Sequence, residues 1–319
     1  MRLWSWVKSV PGFLKRNKSK ILRRLGIYLV IMLMIFPFVF INRTEIYRTF
    51  LTRYDDWVET IDENGIPITD YGYQAGAYVG PQTTIRMVGN MGLEYYDQFL
   101  EGNSTAGLYF NNTVDWILEK RNVVGIPTEN GTIQMSNWPY DFAIYDLPKG
   151  WLSSMVEAKA LHTLALHYGL YGNSSLLEIF EQIATTFETP VSQGGDLLIL
   201  DDGSHWYPEI VVTPELNPDY ESPLILNGFL IALHHIYQAN LILNNSRLTQ
   251  VFNLGVISAA QNLYKYDLPY NWTLYHLDYP EKLASTGYHN IHIDMCHKLY
   301  EYTNVTIFDY YATRWEGYT

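Results

Sequence analysis

The stretch "TGYHNIHIDMC", residues 286 to 296, packs one tyrosine, two histidines, an aspartate and a cysteine into eleven residues. Two chemistries call for such side chains close together: metal binding, and proton transfer by a phenol that its neighbours orient. His289 and His292 stand three apart, a spacing that lets two ligands share a helix face, and Asp294, Cys296 and His297 follow. The chain has no H-E-x-x-H and no second cluster at ligand spacing, so no metal is expected here. On a helix, Tyr288, Ile291, His292 and Met295 project to one side, with His289, Ile293, Cys296 and Tyr300 about a third of a turn away. Tyr288 follows Gly287 in the first turn, where backbone N–H groups and the helix dipole favour an anionic ligand or a phenolate. Periodicity alone reads it as a core residue.

A second candidate stretch is "GGDLLILDDGSHWYPEIVV". Leu197 to Leu200, the turn pair Asp202-Gly203, and Trp206 to Val212 predict a β-hairpin closed by a type I′ turn. Inserted between helices, it would lean over the mouth of a cleft. His205, Trp206, Tyr207 and Glu209 would then stand where a substrate meets them.

The elements that must position these residues are mostly helices. From about Ile85 the pattern runs "IRMVGNMGLEYYDQFL" and "TVDWILEK", then "GWLSSMVEAKALHTLALHYGLY" and "SSLLEIFEQIATTF". After the hairpin come "ESPLILNGFLIALHHIYQANLIL" and "RLTQVFNLGVISAAQNLYKY", then "GYHNIHIDMCHKLYEY" and "VTIFDYYATRWEGY". The turns "YGNSS", "LNNSR" and "YTNVT" join partners of similar length. Repeated antiparallel pairs predict a mainly α fold, an α/α toroid (an incomplete barrel of helix pairs) with an inserted β-hairpin, or else a solenoid. Residues 42–80, with Asn64-Gly65 and several tyrosines, read as a juxtamembrane region with hairpins, and residues 81–319 as the α/α domain.

The chain begins differently. Residues 1–25 form a basic leader; eight cations stand in the first 26 residues and no acid does. The uncharged run "IYLVIMLMIFPFVFI" follows, and residues 26–41 are expected to be a single transmembrane helix. With no small-residue cleavage site after it, the segment reads as an uncleaved type II signal-anchor rather than a signal peptide, the catalytic part lying outside the cytoplasm. Asn42, Asn103, Asn111, Asn130, Asn173, Asn244, Asn271 and Asn304 each begin an N-x-[ST] sequon, as in a glycoprotein with exposed loops. Cys296 is the only cysteine, so no intrachain disulfide exists. Beyond the leader, 13 Lys+Arg face 33 Asp+Glu, a balance of −20. That field repels polyanions, excludes nucleic acid as a partner, and disfavours heavily sulfated polysaccharides unless a local basic patch offsets it.

Six segments in fixed order give the chain a resemblance to a known family: "KGWLSSMVEAKALHTL" at Lys149, "SHWYPE" at Ser204, "ESPLILNGFLIALHHIY" at Glu221, "LYHLDY" at Leu274, "GYHNIHI" at Gly287 and "ATRWEGY" at Ala312. Together they resemble the C-terminal domain of D-glucuronyl C5-epimerases, which convert glucuronate to iduronate within heparan-type chains. The resemblance runs from about Gly76 to the C-terminus. It implies an isomerase acting on a uronic-acid-containing glycan without a cofactor, anchored in a membrane, with a homodimer left open. Glu209 falls on the family's catalytic glutamate, and Tyr275 and Tyr288 on two of its catalytic tyrosines. The resemblance also implies that Trp206, Tyr207, Asn227 and His292 bind substrate or support the phenol. Two positions depart from the pattern. Ile210 stands where a further tyrosine follows the glutamate, and Asp278 stands where an arginine would clamp a carboxylate or sulfate.

Other readings use the same residues. A uronate lyase would abstract the same proton and then expel the C4 substituent. A glycan-binding surface glycoprotein would keep the scaffold without the chemistry. A hydrolase would pair Glu209 with Asp201 or Asp202, although both aspartates stand in a turn signal.

Overall fold

In the computed structural model the described residues are 58–74, 76–129, 131–268, 272–278 and 282–318, and they form one compact unit. The basic leader, the expected membrane helix at residues 26–41, and the sequons at Asn42, Asn130 and Asn271 lie outside them.

Eight α-helices come in four consecutive pairs among these residues. They are α1 (Ile85–Leu100) with α2 (Ser104–Glu119), α3 (Ser154–Tyr171) with α4 (Leu176–Glu188), α5 (Leu226–Leu243) with α6 (Ser246–Asn262), and α7 (Thr286–Thr303) with α8 (Thr306–Glu316). The first member of each pair packs beside the first member of the next, giving an inner row α1–α3–α5–α7. Burial follows from this order. Eleven of the first twelve residues of α3, Ser154 to Ala165, are buried on every side, His162 being the exception. A helix that is apolar nearly all round belongs inside.

The expectation of a helical toroid with one hairpin and one preceding membrane helix needs correction. Five small sheets accompany the helices. One pairs β1 (Val58–Ile61), β2 (Pro67–Asp70) and β5 (Pro81–Gln82), and a second pairs β3 (Tyr73–Gln74) with β4 (Ala77–Tyr78). A longer ribbon joins β6 (Asn122–Thr128) to β7 (Gly131–Asn137), with Val124 opposite Met135. A short pair follows, β8 (Leu198–Ile199) with β9 (His205–Trp206), and then β10 (Asp267–Leu268), β11 (Trp272–His276) and β12 (Lys282–Leu283). The ribbon escapes a search for helix pairs because it is largely exposed and its apolar residues are few. Among the described residues no helix is long and apolar enough to cross a membrane.

The expected hairpin is also shorter than its pattern suggested. Only Leu198↔Trp206 and Ile199↔His205 pair, around a turn in which Asp202 Oδ1 accepts from the Ser204 backbone N–H at 2.9 Å. Beyond Trp206 the chain is held by other means. Ser154 N–H donates to Pro208 C=O at 3.1 Å, and Leu152 and Val211 exchange two bonds of 2.8 and 2.9 Å. Glu209 is thus suspended between two anchors at the start of α3, on no strand.

Capping chemistry accounts for four of the sequons. Asn103 caps α2 through its side chain, and Asn173 holds Ser175 at the start of α4. Asn244 and Asn304 end α5 and α7 in the left-handed region, at φ of 48° and 54°, which asparagine tolerates best among residues with a Cβ. A left-handed Asn followed by a Ser or Thr that opens the next helix writes N-x-[ST] by itself.

Candidate functional site

The N-terminal turns of the inner helices deliver the candidate side chains. Arg86 is the second residue of α1, Lys159 the sixth of α3, Asn227 the second of α5 and Tyr288 the third of α7. Glu209 arrives from outside the helices. Helix α5 has no side-chain cap of its own, because its N-cap residue is Ile225. The Glu209 carboxylate serves instead, accepting from Asn227 Nδ2 at 3.0 Å and from the Gly228 backbone N–H. A Cβ on Gly228 would lie 2.4 Å from both Cβ and Oε2 of Glu209, so only glycine admits the carboxylate here.

This position sets the proton affinity of Glu209. Burial favours the neutral acid and is the largest influence. Arg86, the Asn227 and Gly228 donors and Lys159 favour the anion, and the balance leaves the group raised to about 7. Lys159 is lowered to about 8 by burial and by Arg86, against the pull of Glu209. Its ammonium is hydrogen-bonded to Asn90 Oδ1, and its stem lies over Gly89, 2.9 Å from where a Cβ would stand. Arg86 hydrogen-bonds Tyr71 and interacts with Tyr140.

The two downstream tyrosines stand together. Their ring centroids are 4.7 Å apart at 40°, and Tyr275 also hydrogen-bonds Tyr288. Burial, then the charge of Glu209, then Tyr288 push the Tyr275 phenol far above its ordinary value. The charge of Glu209 thus acts on the Tyr275 phenol, and Tyr288 is joined to Tyr275 by ring contact and hydrogen bond. Tyr288 is 36% exposed, at the first turn of α7, where the Ser285 hydroxyl caps its backbone N–H at 3.3 Å. Lys282 Nζ lies 5.2 Å from the Tyr275 ring centre.

The other sequence candidates have different places. Asn227 is buried and touches Glu209, so it positions the carboxylate. Trp206 is 1% exposed, stacked on Phe229 at 3.9 Å, and offers no free face to a sugar. Tyr207 is fully buried and donates to Val251 C=O at 2.8 Å. His292, lowered to about 3 by burial, turns to Thr273 Oγ1 at 3.1 Å. His289 turns to the same hydroxyl at 2.8 Å and stacks on Trp272 at 3.8 Å. Trp206, Tyr207 and His292, expected to contact substrate or support the phenol, are packed against protein groups in this structure. Helices α5 and α6 cover Trp206 and Tyr207, while strand β11 and helix α8 cover His292. Among the described residues no three His, Cys, Asp or Glu side chains converge as a metal would need. Ile210 packs with Tyr71, Ile144, Leu147 and Val212 in a small apolar cluster, and Asp278 pairs with His276 Nδ1 at 3.2 Å.

Sequence reasoning missed Arg86, Lys159, Tyr71 and Tyr140. For Lys159 a signal existed: a lysine inside the apolar run "MVEAKALHTL" is expensive to bury without a task. Two tyrosines among 27 gave none.

Comparison with known proteins agrees with the ordered motifs. Residues 131–317 match the family described as D-glucuronyl C5-epimerase C-terminus, and the chain belongs to that family. An uncharacterized protein of Methanocaldococcus jannaschii, MJ1128, is 25% identical over 269 residues, covering 80% of this chain and 84% of that one. The crystal structure of a D-mannose isomerase is similar at a TM-score of 0.49 and 10% identity, covering 78% of this chain. The chain spans 64% of that protein's length, under two thirds, and a likeness so distant bears on neither activity nor substrate. Family membership supports a carbohydrate epimerase- or isomerase-type enzyme.

Proposed function

We propose that this protein inverts C5 of a uronic acid residue within a glycan, of the glucuronate-to-iduronate type. The observation that carries the reading is the placement of Glu209. A carboxylate held on the N-terminus of α5, raised to about 7, acts electrostatically on the buried Tyr275 phenol, which burial keeps protonated and which contacts Tyr288. A base poised near neutrality and an acid that holds its proton are what two-sided proton transfer requires. Glu209 takes the C5 proton from one face, and the electron pair passes into the substrate carboxylate. The tyrosine arm, Tyr288 with Tyr275, returns a proton to the other face; Glu209 then releases its proton to solvent and the phenol is reprotonated from solvent.

The substrate carboxylate must be held while its charge grows. Arg86 and Lys159 are the cations available beside Glu209, and they replace the clamp lost at Asp278. An anionic substrate at these cations also adds negative charge next to Glu209. That raises its proton affinity when a base is needed.

Proton NMR of a glucuronate-containing polysaccharide in heavy water tests the reading. Deuterium should enter C5 and iduronate signals should grow without chain shortening. Glu209→Gln should lower both by about 10²–10⁴-fold. An ultraviolet-absorbing unsaturated product would make the protein a lyase, and full activity in Glu209→Gln would end the assignment.

A further inference from the structure

Two parts of the site meet at Tyr71. Its hydroxyl is hydrogen-bonded to the Arg86 guanidinium, which has donors only, so the phenol oxygen accepts. Its ring belongs to a small apolar cluster with Ile144, Leu147 and Val212, against which Phe142 and Ile210 pack. Ile210 and Val212 follow Glu209 on one short segment, and the Tyr71 and Phe142 ring centroids are 5.3 Å apart at 44°. One side chain therefore joins the cation to the segment that carries the carboxylate.

The backbone fixes Tyr71 as well. The residue follows Asp70, the last of β2, and its N–H donates to Gly80 C=O at 3.1 Å. Beside it Gly72, at φ of 54°, accepts from the Val79 and Gly80 N–H groups at 2.8 and 3.2 Å. The Gly72 N–H in turn donates to Asp70 Oδ1 at 2.9 Å. Tyr71 is 4% exposed, so its phenol is an acceptor held in one place.

Arg86 needs such an acceptor. It is only partly buried, at the second position of α1, and a side chain of that length has many rotamers. A guanidinium that serves a carboxylate works in one of them, because its planar fork must face the two oxygens. Against the burial that favours neutral Glu209, Arg86 is the largest influence favouring its anion. Lys159 of α3 and the Asn227 and Gly228 donors of α5 act in the same sense, and Tyr140 and Tyr275 lie in the field of Glu209.

We propose that Tyr71 is a positioning residue, whose phenol oxygen holds the Arg86 guanidinium in the rotamer that serves Glu209 and the substrate carboxylate. This deepens the reading of Glu209 as the base and rests on it. Tyr71 and Arg86 both precede residues 131–317, the part that matches the family. The strand β2 and the helix α1 of this chain therefore complete the site from outside that part.

The test separates positioning from packing and from the reaction itself. Tyr71→Phe keeps the ring in its apolar cluster and removes the hydroxyl, Arg86→Met removes the guanidinium, and a third protein carries both changes. The Glu209 carboxyl is titrated by infrared difference spectroscopy, with Glu209→Gln marking its band. Deuterium exchange at C5 of a glucuronate-containing polysaccharide is followed in parallel. In Tyr71→Phe the Glu209 midpoint should rise from about 7 by on the order of half a pH unit, at unchanged melting temperature. The kcat/KM for exchange should fall about tenfold. Arg86→Met should show both changes in larger measure, and adding Tyr71→Phe to it should move neither further. Exchange with midpoint and kcat/KM unmoved in Tyr71→Phe overturns the positioning role and spares the epimerase reading. A Tyr71→Phe effect that stays whole beside Arg86→Met overturns it too. A midpoint that moves as expected while no protein exchanges C5 upholds the positioning role and sinks the epimerase reading. An unmoved midpoint without exchange overturns both.

Discussion

Asn227 Nδ2 donates to Glu209 Oε2 at 3.0 Å, from the residue just before the glycine that makes room for the carboxylate. Two neighbouring residues of one helix thus do separate tasks for a side chain 18 positions earlier. The donor stabilises the anion, while the absent Cβ lets it approach. Asn227→Ala should therefore leave Glu209 in place and raise its proton affinity further. The acid limb of the exchange rate, expected near pH 7 because the base must be ionised, should move upward by on the order of one pH unit. Rates at pH 6 would fall about tenfold and recover by pH 9. An acid limb that does not move would show that the Asn227 bond is not what tunes Glu209.

Gly228→Ala tests the second task. Alanine is the better helix former by about 1 kcal/mol, so helix content should be kept. The new methyl group would stand 2.4 Å from Oε2 of Glu209, and the carboxylate must leave the helix terminus. Exchange at C5 should drop by about 10² or more while the circular dichroism spectrum is unchanged. Retained activity would mean that the carboxylate works from elsewhere.

The tyrosine arm predicts a stereochemical signature. Tyr288→Phe and Tyr275→Phe leave the base in place and remove one hydroxyl each from the pair whose rings lie 4.7 Å apart. Glu209 can still take the C5 proton, exchange it with solvent and return it to the same face. Inversion should fall by about 10²-fold, with deuterium incorporation without inversion becoming the main outcome. Equal losses of exchange and inversion in both variants would place the tyrosines on the base side instead.

The helix pairs were legible because sustained apolar periodicity is a strong signal, and each of the eight helices overlaps a segment that the pattern picked out, although "TVDWILEK" covered only the second half of α2. The β6–β7 ribbon was not legible, being largely exposed with little apolar content to reveal a period of two. Motifs supplied the candidates in the sequence: "WYPE" for Glu209, "LYHLD" for Tyr275 and "GYHNIH" for Tyr288. It was not legible where tertiary packing decides. Trp206 and His292 belong to the same motifs, yet one is sandwiched on Phe229 and the other is turned to Thr273. Arg86 escaped notice because a lone arginine at a helix start has no local signature of what faces it. Asn227 was expected at the substrate, and that its side chain donates to Glu209 depends on three-dimensional reach that the sequence does not display.

A last prediction concerns two acids outside the proposed reaction. Glu157 and Asp196 are both fully buried, and Glu157 Oε1 accepts from the Trp138 backbone N–H at 2.9 Å. Burial raises both proton affinities well above the ordinary carboxylate range, and the charge of Asp196 raises that of Glu157 further. In the unfolded chain both ionise near pH 4. Between that value and their folded ones the native state binds more protons, so stability is lost as pH rises, at up to about 1.4 kcal/mol per pH unit for each group. Glu209 adds the same sign between its unfolded value and about 7. Asp196→Asn removes one contribution. The variant should melt at a higher temperature than the parent at pH 8 and gain nothing at pH 4, as read by thermal unfolding across that range. A parent and a variant that lose stability in parallel as pH rises would show that the pair is ionised in the fold, held by interactions that outweigh its burial.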